Sequence, residues 1–321
     1  MKKLLILATI ACLVTPSAFP ATLPGIPEFI DEMVAVHHFE RGELVSLFEK
    51  TVHKPDIIAA ISRPSTIKPW PEYRAAFVNQ ARIKPGLAFW KKYQRTLARA
   101  EKQYGVPQEI VVALIGVETL YGKNAGHYRV VDALTTLAFD YPRREVFFRQ
   151  ELENYLLLAR EQQWDLLAVQ GSYAGAMGIP QFMPSSYRNY AVDFNGNHQS
   201  DLLGEPEDAI GSVGHYLKGY GWIKGGLIAV RAEVSQDSCP GQSKMPRTLK
   251  DWADVGVVSA LTRKREETAR LLDYTMDDEK EFWFGFNNFE VITRYNNSDY
   301  YAMSVFQLAQ ALKLAHRVKK H

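Results

Sequence analysis

A nearly unbroken apolar run lies between Val106 and Gly122. Pro107 suits the first turn of a helix, where its missing N–H has no partner in any case, and Gly122 supplies a stop. Because the residues between them leave almost no polar face, we predict a helix that is buried on nearly all sides. One carboxylate, Glu118, falls near the C-terminal end of this helix.

Two effects are expected to raise the pKa of the Glu118 side chain. Burial raises the pKa of a carboxyl group, and the negative end of the helix dipole also opposes ionisation. A glutamic acid that is protonated near neutral pH is what a general acid requires. The alternative from the residues alone is a glutamate that pairs with an arginine or turns to solvent at a fraying helix end.

Helical periodicity recurs on both sides of this run. It predicts helices over residues 27–39, 43–51, 86–104, 208–222 and 302–318. A further helix should follow Asp140, which can serve as its cap, with an apolar stripe at Phe148, Leu152, Tyr155, Leu156 and Ala159. The Pro- and aromatic-rich residues 61–77 predict an extended lead-in that packs on the domain or forms one wall of a groove.

The last third of the chain changes character. Residues 227–234 alternate between apolar and polar side chains, and residues 281–293 are rich in aromatic and β-branched side chains. Both patterns are typical of strands. We therefore predict a small sheet within residues 225–293 of a mainly helical, α+β protein.

Two loops carry candidate chemistry. Residues 171–184 place Ser172 and Gln181 among glycines and alanines. Small residues allow the close approach of a ligand, so this loop suits the floor of a sugar groove, and tight helix packing is the alternative.

The second loop has oxygen-bearing side chains at every other position, as the start of an EF-hand calcium loop does. It departs from that pattern, because its glycine is Gly196 at position four and Gly204 stands where position twelve is usually Glu. A plain Asn/Gly turn is the alternative to a calcium site. The expected ligands are Asp193, Asn195, Asn197 and Gln199, and the closing carboxylate is Glu205, Glu207 or Asp208.

Residues 1–21 have the pattern of an export signal, with Lys2 and Lys3 before an apolar run at 4–14 that is too short to span a membrane. Either Cys12 is a lipid attachment site or cleavage falls near residues 18–21. Beyond Cys12 the chain has one cysteine, Cys239, so an internal disulfide and a cysteine-based zinc site are not expected.

The composition of the chain excludes some classes of function and favours others. The formal net charge of +2 includes the two lysines of the signal segment, so no strongly basic field exists to hold nucleic acid. Aromatic, Asn and Gln side chains are typical of carbohydrate sites. Glycoside cleavage normally uses two carboxylates, yet none stands in an obvious partner position to Glu118. A lone acid would need its substrate to supply the nucleophile.

Six motifs together resemble the lytic murein transglycosylase B family: GVETLYG at 116–122, DYPRR at 140–144, GSYAGAMG at 171–178, QFMPSSY at 181–187, DAIGSV at 208–213 and ITRYN at 292–296. The resemblance covers residues 25–315. It implies a lysozyme-like catalytic core at 106–224 with an EF-hand-like loop, after a helical subdomain at 22–105. A small β subdomain at 225–293 and a C-terminal helix at 294–321 would follow.

The resemblance also implies an activity. Such enzymes cleave the β-1,4 bond between N-acetylmuramic acid and N-acetylglucosamine in peptidoglycan and leave 1,6-anhydromuramoyl ends. Glu118 would act first as acid and then as base. Arg143 and Arg144 would meet carboxylates of the peptide stem. By motif, the residues that would bind sugar or line the groove are Tyr73, Ser172, Gln181, Tyr216, Asn296 and Tyr301.

Calcium would be a structural ion, and the chemistry itself would need no cofactor. The protein would work in the periplasm on glycan strands, either soluble or lipid-anchored, and could join complexes that build the cell wall. The competing hypotheses are a muramidase that admits water and a non-catalytic, calcium-stabilised peptidoglycan-binding protein. The intact GVETLYG motif favours the enzyme.

Overall fold

The computed structural model describes residues 23–63, 68–235, 245–261, 264–277 and 279–318. The predicted export signal with Cys12 and the single later cysteine, Cys239, lie outside these ranges. Within them, no helix combines the length and the apolar character that a membrane span requires.

The chain forms two compact units, Met1–Thr51 and Val52–His321. In the first unit, helix α1 (Ile26–His37) and helix α2 (Arg41–Glu49) confirm the predicted periodicity. They pack through Phe29 and Phe48, whose ring centroids lie 6.1 Å apart in an edge-to-face arrangement.

The second unit begins with short helices: α3 (Pro55–Ile61), α4 (Trp70–Phe77), α5 (Gln80–Lys92) and α6 (Gln94–Tyr104). The prediction of an extended lead-in up to residue 77 is wrong for α4. Pro69 caps this helix and Pro71 stands in its first turn, where a missing N–H costs nothing. Trp70 anchors it because its side chain is fully buried.

The predicted single helix over 86–104 is in fact two. Helix α5 starts earlier, at Gln80, because Asn79 caps it by accepting a hydrogen bond from the backbone N–H of Arg82 at 3.1 Å. The chain then breaks at Tyr93, which leaves the helical conformation before α6 begins.

Helix α7 (Gln108–Thr119) is the apolar run identified from the sequence, and it is buried nearly all round, as predicted. Helices α5, α6 and α11 (Pro206–Gly219) and the last helix, α14 (Asp299–Val318), all pack against it. Each fully buried aliphatic side chain of such a helix contributes about 1.5–3 kcal/mol, so α7 anchors the core.

Helix α8 (Val130–Asp140) was not anticipated, and it is as buried as α7. A 3₁₀ turn (Pro142–Arg144) joins it to α9 (Glu145–Gln162), whose predicted apolar stripe is buried. The expected capping role of Asp140 is wrong. Asp140 ends α8 instead, and its carboxylate lies 2.8 Å from the ring nitrogen Nε2 of His53.

Two short strands, β1 (Tyr128–Arg129) and β2 (Gln170–Gly171), pair at the start of the glycine-rich loop. After that loop come helix α10 (Pro184–Tyr190), the predicted calcium loop and α11. The loop that suited a sugar groove is therefore held between a strand pair and a helix.

Within the described residues, the predicted small sheet is present as five antiparallel strands: β3 (Ala229–Val234), β4 (Arg247–Thr248), β5 (Val257–Ser259), β6 (Thr268–Met276) and β7 (Glu279–Gly285). They lie in the order β4-β6-β7-β3-β5. Trp252 and Phe284 lie in its apolar core, together with helix α12 (Leu249–Asp254). The strand prediction for 281–293 is half right, since the chain turns at Phe286 into helix α13 (Asn287–Thr293).

Candidate active site

Glu118 lies in the last turn of α7, partly exposed where its helix neighbours are buried. The hydroxyl of Tyr301 donates a hydrogen bond to its Oε1. Burial raises the pKa of Glu118 to about 7, against the hydrogen bond from Tyr301 and the positive charge of Arg82, which both lower it. At neutral pH the carboxyl group is therefore divided between its protonated and ionised forms.

Two tyrosines from the C-terminal part of the chain face Glu118. Tyr301 belongs to the first turn of α14, and Tyr295 lies in the turn after α13 and donates to the carbonyl oxygen of Pro180 at 2.5 Å. Burial, and then the negative charge of Glu118, hold the pKa of both hydroxyls well above the ordinary range. Both side chains consequently remain hydrogen-bond donors.

The backbone around Glu118 is fixed by a tight contact behind it. Tyr121 has φ of 64° and places its ring against Gly116 and Gly86. A Cβ atom on Gly116 would lie 2.5 Å from the Tyr121 hydroxyl, and one on Gly86 would lie 2.3 Å from it. The Tyr121 hydroxyl also donates to the carbonyl oxygen of Arg82 at 2.9 Å, and the Arg82 guanidinium donates to the carbonyl oxygen of Gly116.

Tyr73 belongs to α4 and forms an aromatic group with Trp70, Phe77 and Tyr300. Burial raises the pKa of its hydroxyl, and the negative charge of Glu118 adds to that effect. The predicted groove tyrosine and the candidate acid therefore lie within electrostatic range of each other.

In the glycine-rich loop, the predicted sugar-binding side chains also hold the backbone. The Ser172 hydroxyl accepts hydrogen bonds from the N–H groups of Ala176 and Ala174 at 3.0 and 3.3 Å. Gln181, in the left-handed region, donates from Nε2 to the carbonyl oxygen of Ala125 at 2.9 Å. Such bonds give both polar groups a defined position on the loop.

The loop is tied to the candidate acid's own helix. Thr119, next to Glu118, donates from its hydroxyl to the carbonyl oxygen of Ile179 at 2.8 Å. Gly178 has φ of 71°, and a Cβ atom there would lie 2.2 Å from the carbonyl oxygen of Leu202. Glycine is thus required where the loop passes the backbone of Leu202.

A cavity of about 530 Å³ opens beside this region, and we refer to it as the side pocket. It brings together four of the residues predicted from the sequence: Arg144, Gln181, Tyr216 and Asn296. Arg143 is exposed on the same 3₁₀ turn as Arg144 but is not among the lining residues. The structure therefore separates the two arginines that the sequence paired.

Some lining residues of the side pocket were missed. Arg294 and Tyr295 stand inside the ITRYN motif but were not selected from it as site residues. Glu151, a third missed residue, could have been found from the sequence. It falls on the apolar stripe of α9, three residues after Phe148, and is buried with both carboxylate oxygens accepting from Ser185. A carboxylate on an apolar face was the very feature that pointed to Glu118.

The predicted calcium loop folds around its own side chains. Asp193 accepts hydrogen bonds from the N–H groups of Gly196 and His198 at 2.6 and 2.7 Å, and Asn195 and Asn197 each accept from the N–H two residues on. For Asn197, the donor is the backbone N–H of Gln199.

Asp208, fully buried, closes the loop by accepting from the N–H groups of Phe194, Asn195 and Asp201 at 2.8–3.1 Å. Among the described residues, no three His, Cys, Asp or Glu side chains converge as a metal site. The carboxylate and amide oxygens of the loop are nevertheless the hard donors that calcium prefers, so the residue types fit this ion.

A family model described as Transglycosylase SLT domain matches residues 23–310. The chain belongs to this family. The match extends over both compact units and includes every candidate site residue.

Three relatives show which transglycosylases this chain is similar to. It is 41% identical over 305 residues to membrane-bound lytic murein transglycosylase B of Escherichia coli (strain K12), covering 92% of this chain and 84% of the relative. The structure of the soluble lytic transglycosylase SltB1 of Pseudomonas aeruginosa is 46% identical with a TM-score of 0.85, covering 91% of this chain and 99% of the other. The E. coli lytic transglycosylase Slt35, solved in complex with calcium, is 41% identical with a TM-score of 0.86, covering 92% and 95%.

A more distant enzyme, SltB3 of Pseudomonas aeruginosa, was solved in complex with NAG-NAM-pentapeptide. It is 29% identical, with a TM-score of 0.81 and coverage of 90% of this chain and 78% of the other. The predicted family, the mainly helical fold with a lysozyme-like core and the predicted activity are thereby confirmed: the chain is a peptidoglycan lytic transglycosylase.

Proposed function

We propose that Glu118 alone supplies the acid and the base of this lytic transglycosylase. The observation that carries the proposal is a carboxyl group with a pKa of about 7, at the exposed end of a buried helix, bonded to the Tyr301 hydroxyl. A group that must first give and then take a proton works best when its pKa lies near the working pH.

The reaction is the cleavage of the bond between N-acetylmuramic acid and N-acetylglucosamine. Protonated Glu118 donates its proton to the glycosidic oxygen as that oxygen leaves the muramoyl C1. The resulting carboxylate then accepts the proton of the muramoyl C6 hydroxyl as O6 bonds to C1. The products are a free N-acetylglucosamine end and a 1,6-anhydromuramoyl end, no water is consumed and Glu118 is again protonated.

The groups around Glu118 support the ionised form between these two steps. Tyr301 donates to the carboxylate, and the positive charge of Arg82 stabilises it. Because burial acts in the opposite direction, neither protonation state is strongly favoured.

For the substrate we propose the contacts that the motifs imply. Arg143 and Arg144 would meet the peptide stem, and the relative solved with NAG-NAM-pentapeptide supports this class of ligand. Glycan strands would be held along the groove by Tyr73, Ser172, Gln181, Tyr216, Asn296 and Tyr301.

We also propose a structural calcium ion in the loop between α10 and α11. Side-chain oxygens of Asp193, Asn195, Asn197 and Asp208, with Gln199, would hold it. The support is the donor chemistry of the loop together with the calcium complex of Slt35. A calcium ion held there would stabilise the loop, and the proton transfers would need only Glu118.

The site of action would be the periplasm, reached through an export signal at residues 1–21, with Cys12 as the position for a lipid anchor. A membrane-bound relative that acts on murein supports this proposal. The division into subdomains at residues 22–105, 106–224, 225–293 and 294–321 belongs to the same proposal, as does participation in cell-wall synthesis complexes.

Mass spectrometry of the muropeptides released from purified sacculi tests the proposed chemistry. We expect anhydromuramoyl ends from the wild-type protein and none from Glu118→Gln, which removes the acid and keeps the shape of the side chain. Reducing ends, heavier by one water, would show that water attacks and that the protein is a muramidase. Continued turnover by Glu118→Gln would refute the acid role.

A further inference from the structure

Two arginines from distant parts of the sequence face the same cavity. Arg144 ends the 3₁₀ turn before α9, and Arg294 directly follows α13, yet both line the side pocket. The rest of its polar lining is neutral apart from one carboxylate, Glu151. The pocket therefore has a net charge of +1.

Both guanidinium groups are available to a ligand. In the part of the chain that the structure describes, ion pairs with carboxylates are made by arginines 41, 129, 149, 188, 231 and 270, and not by Arg144 or Arg294. The guanidinium carbon of Arg144 lies 4.1 Å from the ring centroid of Phe147 and 5.1 Å from that of Phe148. Stacking uses the face of a guanidinium and leaves its in-plane N–H donors free.

Arg294 is held through its backbone. Its carbonyl oxygen accepts a hydrogen bond from the Tyr216 hydroxyl at 2.7 Å. The next residue, Tyr295, donates to Pro180 and so ties this turn to the glycine-rich loop. The start of the Arg294 side chain is thus fixed at the rim of the pocket.

Burial raises the pKa of Glu151 and the charge of Arg144 acts against that rise, but Glu151 makes no ion pair with either arginine. Its oxygens accept hydrogen bonds from the N–H and the hydroxyl of Ser185 at 2.9 and 2.6 Å, which fastens the start of α10. With this carboxylate engaged elsewhere, the two arginines face the cavity as a pair of donors.

We propose that Arg144 and Arg294 together bind one carboxylate of the peptide stem, from two sides of the side pocket. This inference rests on the proposed function, which brings a glycan strand to Glu118. Once the lactyl group of N-acetylmuramic acid is joined to a peptide by an amide bond, the sugars carry no charge. An anion on the strand must therefore belong to the peptide, and the volume of the pocket is in the range of small-ligand sites.

The assignment changes the partner of Arg144. The sequence pairs it with its neighbour Arg143, whereas the cavity pairs it with Arg294. Arginine is suited to this task because its planar donors match a carboxylate. Arg294 is then a residue that selects strands bearing peptide stems.

The test measures kcat/KM on three substrates: strands with stems, strands whose stems an amidase has removed, and strands whose stem carboxylates have been amidated. With Arg294→Gln we expect a fall of about tenfold on the first substrate, the loss typical of one charge-assisted hydrogen bond. No fall is expected on the other two. Arg294→Lys should restore part of the activity, because it returns the charge without the planar fork.

Arg188→Gln is the matched control, because Arg188 is an exposed arginine of α10 that already pairs with Glu161 at 2.8 Å. It should behave like the wild type on all three substrates. An equal loss on stripped or amidated strands, or an equal loss in the control, would overturn the inference. Melting temperatures identify a variant that has simply unfolded.

The outcomes also separate this inference from the proposal on which it rests. If the wild-type protein forms no anhydromuramoyl ends, the proposed chemistry fails. If it forms them and Arg294→Gln is as active as the wild type on stem-bearing strands, only the role of Arg294 fails.

Discussion

The hydroxyl of Tyr301 donates a hydrogen bond to Glu118, although 183 residues separate the two in the sequence. Glu118 is supplied by the central helix and Tyr301 by the last one, and these helices pack directly against each other. Burial favours the protonated acid while this bond and the positive charge of Arg82 favour the ionised carboxylate, and the pKa of about 7 is the balance of these effects.

Removing this donor should change the pH profile. In Tyr301→Phe the pKa of Glu118 should rise, because the hydrogen bond that lowers it is lost. A general acid works in its protonated form, so the descending limb of kcat/KM should move to higher pH, by roughly one unit. Tyr300→Phe is the control, since Tyr300 packs against Trp70 and Tyr73. Identical limbs in the two variants would contradict the role of Tyr301.

Glu118 should also make stability depend on pH. Its folded pKa of about 7 lies above the value of about 4.3 for an unfolded chain, so the folded state binds the proton more tightly. Stability is therefore full below the unfolded value and is lost as pH rises through the folded one. We expect Glu118→Gln, which cannot ionise, to be more stable than wild type by up to about 3 kcal/mol above pH 7.

Urea unfolding at several pH values measures this effect. The stability difference between Glu118→Gln and the wild type should grow steadily from about pH 5 to about pH 8. A difference that does not vary with pH would mean that Glu118 has an ordinary pKa in the folded protein.

Gly116, which packs against Tyr121 on the helix that carries Glu118, offers a test of packing. Gly116→Ala would put a methyl group 2.5 Å from the Tyr121 hydroxyl, so the ring must move. We expect a loss of about 1–3 kcal/mol in the free energy of unfolding, with reduced activity. Gly42→Ala in α2 is the control: nothing lies within 4 Å of its Cβ position, and alanine should stabilise this helix by roughly 0.5–1 kcal/mol. Equal effects in both would remove the packing argument.

Calcium should act on stability more than on chemistry. An ion bound only to the folded state at a hundred times its dissociation constant adds about 2.7 kcal/mol. We therefore expect a chelator to lower the melting temperature of the wild type and to leave the activity per folded molecule nearly unchanged. In Asp193→Ala the chelator should have no further effect. A wild-type melting curve that the chelator does not change would show that the loop holds no ion.

The two neighbouring arginines should differ in importance. Arg144 lines the side pocket and Arg143 does not, so Arg144→Ala should cost more activity than Arg143→Ala on strands with stems. The expected ratio is about three- to tenfold, within the range for one charged hydrogen bond. On naked glycan the two variants should be alike. Equal losses on stem-bearing strands would mean that Arg143 contributes as much to stem binding as Arg144.

The sequence revealed those parts of the site that depend on local pattern. Helix α7 was predictable because its apolar residues leave almost no polar face, and Glu118 stood out as the carboxylate near its C-terminal end, far from Glu109 in its first turn. The oxygen-bearing side chains at alternate positions from Asp193 onwards were predictable for the same reason, because they form a local pattern. Their hydrogen bonds to backbone N–H groups two to five residues on show that the pattern is a local property of the chain.

What failed depended on contacts between distant residues. Helix α4 looked extended because prolines surround it, but burial of Trp70 against Tyr274 and Tyr300 stabilises it. Arg143 and Arg144 looked equivalent because they are adjacent, yet only the folded turn decides which of them faces the cavity. Arg294 was not selected although it lies in the ITRYN motif, since nothing in its surroundings along the chain shows that it will line the same cavity as Arg144.

Because α14 carries Tyr301 and covers α7, the site is complete only when the last helix has been made. A ribosome completes the helix that holds the acid long before it completes the helix that holds its hydrogen-bond partner. Until α14 is made, Glu118 lacks both the apolar cover that raises its pKa and the donor that offsets it. A chain that ends before Asp299 would thus carry the acid without the hydrogen bond that lowers its pKa.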